Sequence, residues 1–273
     1  MSGQARIALL LADVDGTLVT QDKVLTAESQ AAARELRAAD VSLAITSGRP
    51  PKGMRMLIEP LAIDTVIAGF NGGVYADPKL RVLDTCNLDP EVAHQALTII
   101  LDAGLDAWIY TGEDWLVRNP QAPHVAREAF TVQFEAKVVP SFTDAHLRNS
   151  VKIVGVSDDH GRVADCEQNA QQKLGKRASA TRSQPYYLDI THPEANKGAV
   201  VERLSEMLSI PKERIATIGD GSNDALMFRK SGFSIAMGNA SDQVKEQAKV
   251  VTDTNEHEGF AKAVRRFILG HPQ

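Results

Sequence analysis

Asp13 and Asp15 are separated by a single residue and follow directly on an apolar run, Ile7 to Ala12. Two carboxylates at the mouth of a buried strand are costly, because each resists the ionisation of the other and both lose solvent. A cation that shares the site removes the conflict, and a hard Mg²⁺ is the ion that suits carboxylate oxygens. Gly16 lets the backbone turn sharply behind the pair, and Thr17 offers a hydroxyl to hold one of the two carboxylates. The competing reading is a strand that ends in an ordinary polar turn, with Asp15 and Gly16 as turn residues. The compact DVDGT string weighs against it.

Three further segments carry polar groups of the same kind. In Thr46-Ser47-Gly48-Arg49, the Ser47 hydroxyl and the backbone N–H groups around Gly48 can receive phosphate oxygens. Alone, this segment is better read as a strand running into a Ser-Gly turn. In Asn196-Lys197-Gly198, Lys197 is a compact positive charge suited to phosphate, although a lone lysine is ordinarily a solvated surface residue. The fourth segment, Gly219-Asp220-Gly221-Ser222-Asn223-Asp224, adds two carboxylates and an amide. Its spacing is not that of a nucleotide-binding GxGxxG, and its acids would repel phosphate unless a metal intervened. Nor does it match a helix-flanked Ca²⁺ loop, which needs a glutamate at its end. A metal-neutralised site accounts for it better.

The elements around these segments predict how they are held. Strand Ile7–Ala12, helix Ala27–Ala38 with Thr26 as its N-cap, strand Val41–Ile45 and strand Thr65–Ala68 form βα units near the start. Strands without alternation suit parallel pairing covered on both faces. The pattern returns in helix Gly198–Leu208, strand Ile215–Ile218, helix Asp224–Lys230, strand Phe233–Ala236, helix Ser241–Ala248, strand Val250–Thr252 and a last helix, Gly259–Ile268. Such alternation predicts an open α/β sheet, in which ligands bind beyond the carboxyl ends of the strands. All four segments lie at or near that edge.

Between the two halves the texture changes. Strands Ala107–Thr111 and Trp115–Arg118 flank a Gly112-Glu113-Asp114 turn, and strands Val151–Val156 and Tyr186–Ile190 flank helices Glu91–Ala103 and Arg162–Leu174. This predicts an inserted α+β domain over residues 83–188, within a core of residues 1–82 and 189–273. Trp108, Tyr110 and Trp115 belong either to the insert's own core or to a pocket for a leaving group.

The totals exclude several classes. Net charge is −5 with Lys and Arg scattered, which argues against nucleic acid or an anionic membrane as the main partner. A phosphate-bearing ligand must then be held by local dipoles, a few cations and a metal. Two distant cysteines, Cys86 and Cys166, predict neither a disulfide scaffold nor a thiolate site, and His94, His124, His146 and His257 form no HExxH. The first apolar run is too short for a signal peptide or a spanning helix, and a cytoplasmic location is expected.

DVDGT, TSGR, NKG and GDGSND, in this order and with these gaps, resemble the haloacid dehalogenase superfamily of phosphohydrolases, and most closely its Cof-type sugar-phosphatase branch. Gly69-Phe70-Asn71-Gly72-Gly73 resembles an Asn-Gly-Ala segment of that branch, with glycine where alanine is usual. The resemblance implies a Rossmann-like parallel-sheet core with an inserted cap domain of C2 type, and Mg²⁺-dependent hydrolysis of small phosphorylated metabolites such as sugar phosphates. It implies Asp13 as nucleophile and Asp15 as general acid and base. Mg²⁺ would be held by Asp13, the Asp15 carbonyl and Asp220. Ser47, Gly48, Lys197 and Asn223 would hold the phosphoryl oxygens, with Thr17, Asn71 and Asp224 in support. Asp224 either orients Lys197 or a metal-bound water, or is an ordinary acidic residue at a helix start. A monomer or weak homo-oligomer is expected. Two other readings remain: a phosphomutase or phosphotransferase, since phosphomannomutases share the fold, and a phosphometabolite-binding sensor, against which the Asp13/Asp15 pair weighs.

Overall fold

The computed structural model describes residues 6–271. The chain divides into two compact units, Met1–Arg81 with Asn196–Gln273, and Val82–Ala195. The return to the first unit, expected at 188/189, falls instead between Ala195 and Asn196. Tyr187–Thr191 pairs antiparallel with Lys152–Val156, which ties it to the inserted sheet.

We number the strands of the first unit β1 (Leu9–Asp13), β2 (Ser42–Thr46), β3 (Ile67–Gly69), β4 (Val74–Ala76), β5 (Ile215–Gly219), β6 (Phe233–Ala236) and β7 (Val250–Val251). Their order across the unit is β7-β6-β5-β1-β2-β3-β4. Every neighbouring pair is parallel except β3–β4. Strand β1 is buried along its whole length, and its period-2 geometry divides it between two cores. Leu10 and Ala12 join a cluster with Ala32, Ala33 and Leu36 of helix Ala27–Ala38. Leu9 and Leu11 join a second with Val200, Val201 and Leu204 of helix Lys197–Leu208. A strand apolar on both faces is therefore what a doubly covered sheet requires.

Helix Ala27–Ala38 begins as expected at Thr26, whose side chain accepts from the Ser29 N–H. The helix starting at Asp224 ends at Phe228, short of the expected Lys230. Gly232, just beyond, donates its N–H to the carbonyls of Lys212 and Ile215. The last helix is α-helical over Gly259–Ala263 and continues as a π-turn over Val264–Ile268. Strand β4, not anticipated, follows a tight reversal in which Phe70, Asn71 and Gly72 all have positive φ.

In the second unit the sheet runs Ser179–Gln184, Tyr187–Thr191, Lys152–Val156, Asp106–Tyr110, Trp115–Val117, Lys137–Val138. Tyr110 pairs with Trp115 across the predicted hairpin. One face is aliphatic: Ala107, Ile109, Ile153, Leu188 and Ile190 share a core with helices Pro90–Asp102 and His160–Leu174. The opposite face carries Trp108, Tyr110 and Trp115, all at most 1% exposed. Trp108 meets Trp115 edge-on at 5.2 Å between centroids, and Tyr110 stacks on Trp115 at 5.8 Å. Of the two readings of these aromatics, the structure shows the insert's own core. Cys86 and Cys166 are free thiols. Among the described residues, no helix is long and apolar enough to cross a membrane.

Candidate active site

Strand β1 carries Asp13 to the carboxyl edge of the sheet, and β5, beside it, leads into the loop that holds Asp220 and Asp224. Helix Lys197–Leu208 starts at the same place, with the Asn196 side chain accepting from the Ala199 N–H as its cap. Lys197, the first helical residue, is 2% exposed, so the solvated reading of this lysine does not hold. Its ammonium donates to Asp13 Oδ1 at 2.5 Å and to Asp224 Oδ1 at 2.5 Å. The other oxygen of Asp224 accepts the N–H groups of Asp220, at 2.9 Å, and Gly221, at 2.8 Å. Asp224 thus orients Lys197 and fixes the loop, with its hydrogen-bonding capacity largely used inside the protein.

Carboxylate oxygens of Asp13, Asp220 and Asp224 lie within 4.8 Å of one another. Three carboxylates around one ammonium leave negative charge in excess. Burial pushes the Asp13 carboxyl up to about 8, with Asp224 and Asp220 adding to the effect against the pull of Lys197. Asp220 is likewise raised, by burial first and then by Asp224. Burial opposes the charge on Lys197, but Asp13 and Asp224 outweigh it and keep the ammonium charged. The second oxygen of Asp13 accepts no hydrogen bond among the described residues. An oxygen-only donor set with surplus negative charge and a free carboxylate oxygen fits a hard divalent cation.

Asp220 is held on two sides. Thr17 Oγ1 donates to its Oδ1 at 3.2 Å, and Asn239 Nδ2 donates to its Oδ2 at 3.1 Å and to the Gly16 carbonyl at 2.9 Å. The Thr17 hydroxyl therefore serves Asp220 and not Asp13 or Asp15, because the turn at Gly16 swings it toward β5. Gly16 has φ +81°, and a Cβ there would stand 2.4 Å from Asp220 Oδ2. Gly16→Ala is expected to cost about 1–3 kcal/mol in urea unfolding through the left-handed backbone alone, and to weaken divalent-cation binding by displacing Asp220. Unchanged cation affinity would show that Asp220 tolerates the displacement.

On the other flank, Ser47 is buried beyond β2, and its Oγ accepts the Arg49 N–H at 3.1 Å, which leaves the hydroxyl proton available to a ligand. Gly48 is exposed beside it. The Asn71 N–H donates to the Ser47 carbonyl at 2.8 Å, and Asn223 Nδ2 donates to Asn71 Oδ1 at 3.3 Å. Ser47, Asn71 and Asn223 are thereby linked around the end of the sheet. Asp15 lies apart from the Lys197 cluster in its contacts: Arg49 holds both its oxygens and Lys23 one. These donors overcome the effect of burial and lower the Asp15 carboxyl below its usual range. Sequence reasoning gave Arg49, Lys23 and Asn239 no role. The position of Asn239 just after β6, at the ligand-binding edge, was a usable signal; Lys23 offered none.

The chain belongs to the haloacid dehalogenase-like hydrolases, whose family model matches residues 10–264. It is an enzyme of the phosphatase kind, a phosphoric monoester hydrolase of the Cof type. It is 27% identical over 264 residues to the 5-amino-6-(5-phospho-D-ribitylamino)uracil phosphatase YcsE of Bacillus subtilis, covering 96% of each chain. It is 28% identical over 236 residues to the HMP-PP phosphatase of Cronobacter sakazakii, covering 85% of this chain and 84% of the relative. Among solved structures, a haloacid dehalogenase-like hydrolase from Bacteroides thetaiotaomicron superposes with a TM-score of 0.86 at 26% identity, over 96% of this chain and 99% of the other.

Proposed function

We propose that the protein is a Mg²⁺-dependent phosphatase of small phosphorylated metabolites, sugar phosphates foremost, acting in the cytoplasm as a monomer or weak homo-oligomer. The reading is carried by one observation, the buried Asp13–Lys197–Asp224 cluster with Asp220 beside it. Asp13, with an oxygen free of hydrogen bonds, attacks phosphorus and forms an aspartyl phosphate. Lys197, Ser47 and Asn223, with N–H groups near Gly48, hold the phosphoryl oxygens, and Asn71 positions Asn223. Asp15 gives a proton to the leaving oxygen and later takes one from the attacking water. Asp13, Asp220 and the Asp15 carbonyl would hold Mg²⁺, which supplies charge neutralisation between an anionic nucleophile and an anionic ester. Selection among leaving groups is assigned to residues 82–195, since every group named here belongs to the first unit.

Phosphate release from a panel of phosphorylated metabolites with Mg²⁺ and no added acceptor tests this reading. Turnover only on adding a second hydroxyl compound would make the protein a phosphotransferase, and full turnover after exhaustive chelation would remove the metal.

The metal also leaves a pH signature. In chelated protein the Asp13 carboxyl is raised from 3.8 to about 8, above its unfolded value. Its contribution to stability is therefore fully present below about pH 4 and is lost as pH rises through about 8. Mg²⁺ needs the ionised carboxylate, so the rise in Tm on adding Mg²⁺ is expected to be larger at pH 8 than at pH 5. An equal rise at both would show that the cation does not compete with a proton on this cluster.

A further inference from the structure

We propose that Asn239 is a positioning residue for the divalent cation: its amide ties the Asp220 carboxylate to the turn at Gly16 and presets the spacing of the two loops that would hold the ion. The inference rests on the metal reading above. Asn239 Nδ2 carries two protons and uses both here, one on Asp220 Oδ2 at 3.1 Å and one on the Gly16 carbonyl at 2.9 Å. Asp220 belongs to the loop after β5 and Gly16 to the loop after β1, so a single side chain bridges them. Thr17 donates to Oδ1 of the same carboxylate at 3.2 Å. With one donor on each oxygen, the plane of the carboxylate is fixed, and each oxygen keeps a lone pair for a cation.

The amide is itself oriented from behind. Its Oδ1 accepts the Asn255 N–H at 3.1 Å, which turns Nδ2 toward Asp220 and Gly16. The buried Asn255 side chain donates in turn to the Val19 carbonyl at 3.0 Å, just past the Gly16 turn. The Met237 N–H donates to the Gly219 carbonyl at 2.9 Å and the Gly238 N–H to the Asp253 carbonyl at 3.0 Å. The backbone leading into Asn239 is thereby anchored as well. That the donor is neutral has a chemical consequence. An ammonium here would cancel the charge that draws a cation to Asp220, whereas an amide orients the carboxylate and leaves its charge intact. The side chain is also exposed, so water replaces its hydrogen bonds when it is removed, and folding depends on it little. Three hydrogen bonds at an exposed side chain are better explained by the geometry they impose on Asp220 than by stability.

Mg²⁺ demands near-ideal geometry at short distances, whereas Ca²⁺ accepts a looser and larger set of oxygens. Loosening Asp220 should therefore cost Mg²⁺ more than Ca²⁺. In chelated protein without substrate, calorimetric titration of Asn239→Ala is expected to show Mg²⁺ affinity lowered by about 10–100-fold. Ca²⁺ affinity should fall by less than about 5-fold. The Tm of the cation-free variant should stay within about 2 °C of the wild type. With nitrophenyl phosphate, the Mg²⁺ concentration that gives half the maximal rate should rise by about the same 10–100-fold. The rate at saturating Mg²⁺ should stay within about 3-fold of the wild type, which a general structural loss would not allow.

If Asn239→Ala does not fold, Asn239→Ser, whose hydroxyl has one proton for two acceptors, carries the comparison. Wild-type Mg²⁺ affinity in the folded variant, equal losses for Mg²⁺ and Ca²⁺, or a rate that saturating Mg²⁺ does not restore would each overturn the role of Asn239. Absence of calorimetric Mg²⁺ binding in the wild type would overturn the metal reading beneath it.

Discussion

Asp13→Asn protein is expected to form no covalent phosphate adduct with any phosphate ester, whereas Asp15→Asn protein accumulates one when given nitrophenyl phosphate. The two carboxylates are one residue apart but live in different surroundings. Asp13 is buried against Lys197 with one oxygen free, as a nucleophile must be. Asp15 faces Arg49 and Lys23 and keeps its backbone carbonyl, and with it the proposed metal contact, in the asparagine variant. A nitrophenolate leaves without a proton, so the first step persists in Asp15→Asn while hydrolysis of the adduct, which needs a base, slows by about 10²-fold or more. Intact-mass measurement after rapid acid quench reads both outcomes. An adduct in Asp13→Asn, or wild-type turnover in Asp15→Asn, would reverse the assignment.

Lys197→Met should be damaging twice over. Removing one partner from a buried ionic cluster leaves uncompensated charge and typically costs about 3–5 kcal/mol. Here it leaves Asp13 and Asp224 facing each other without the ammonium that both contact at 2.5 Å. In chelated protein this loss, followed by urea unfolding, should be larger at pH 8 than at pH 5. Without the pull of Lys197 the Asp13 carboxyl takes up a proton more readily in the folded state, and a neutral carboxyl tolerates burial. Catalysis should fall by about 10²–10³-fold as a contact to the phosphoryl oxygens is lost. A variant as stable as the wild type at pH 8 would mean that the cluster is relieved in some other way.

The sheet and its helices were legible because their signals are local. A strand apolar on both faces, as Leu9 to Ala12 is, fits only a doubly covered sheet, and Thr26 marks the start of its helix within the sequence itself. The site was legible only as residue types. That Lys197 is buried could not be read from its neighbours, since what buries it is Asp13 and Asp224, far away along the chain. For the same reason the sequence points Thr17 at the carboxylates of its own loop, whereas its partner, Asp220, reaches it only once β5 lies beside β1. The Asn71-Gly72 pair does signal the turn that leads into β4, but Phe70 in left-handed backbone is not announced by its residue type, and β4 itself is only three residues long. The pairing of Arg49 with Asp15 is likewise a product of two loops meeting after β1 and β2 have aligned.

The pairing of β1 with β5 also dictates an order of assembly. Leu9 lies opposite Ser42 on one side and Ile215 on the other, so the central strand of the first unit gains its second partner only after about 200 further residues have been made, a separation that slows closure. The sheet of the inserted unit, by contrast, is built from one uninterrupted stretch, Val82–Ala195, and has all its strands much earlier. During synthesis the insert can therefore fold while β1 and β2 still present an unpaired apolar edge, the kind of edge that invites association between chains. Asp13 waits through that interval without Lys197, Asp220 or Asp224, so the nascent chain holds no assembled centre until its last third has emerged.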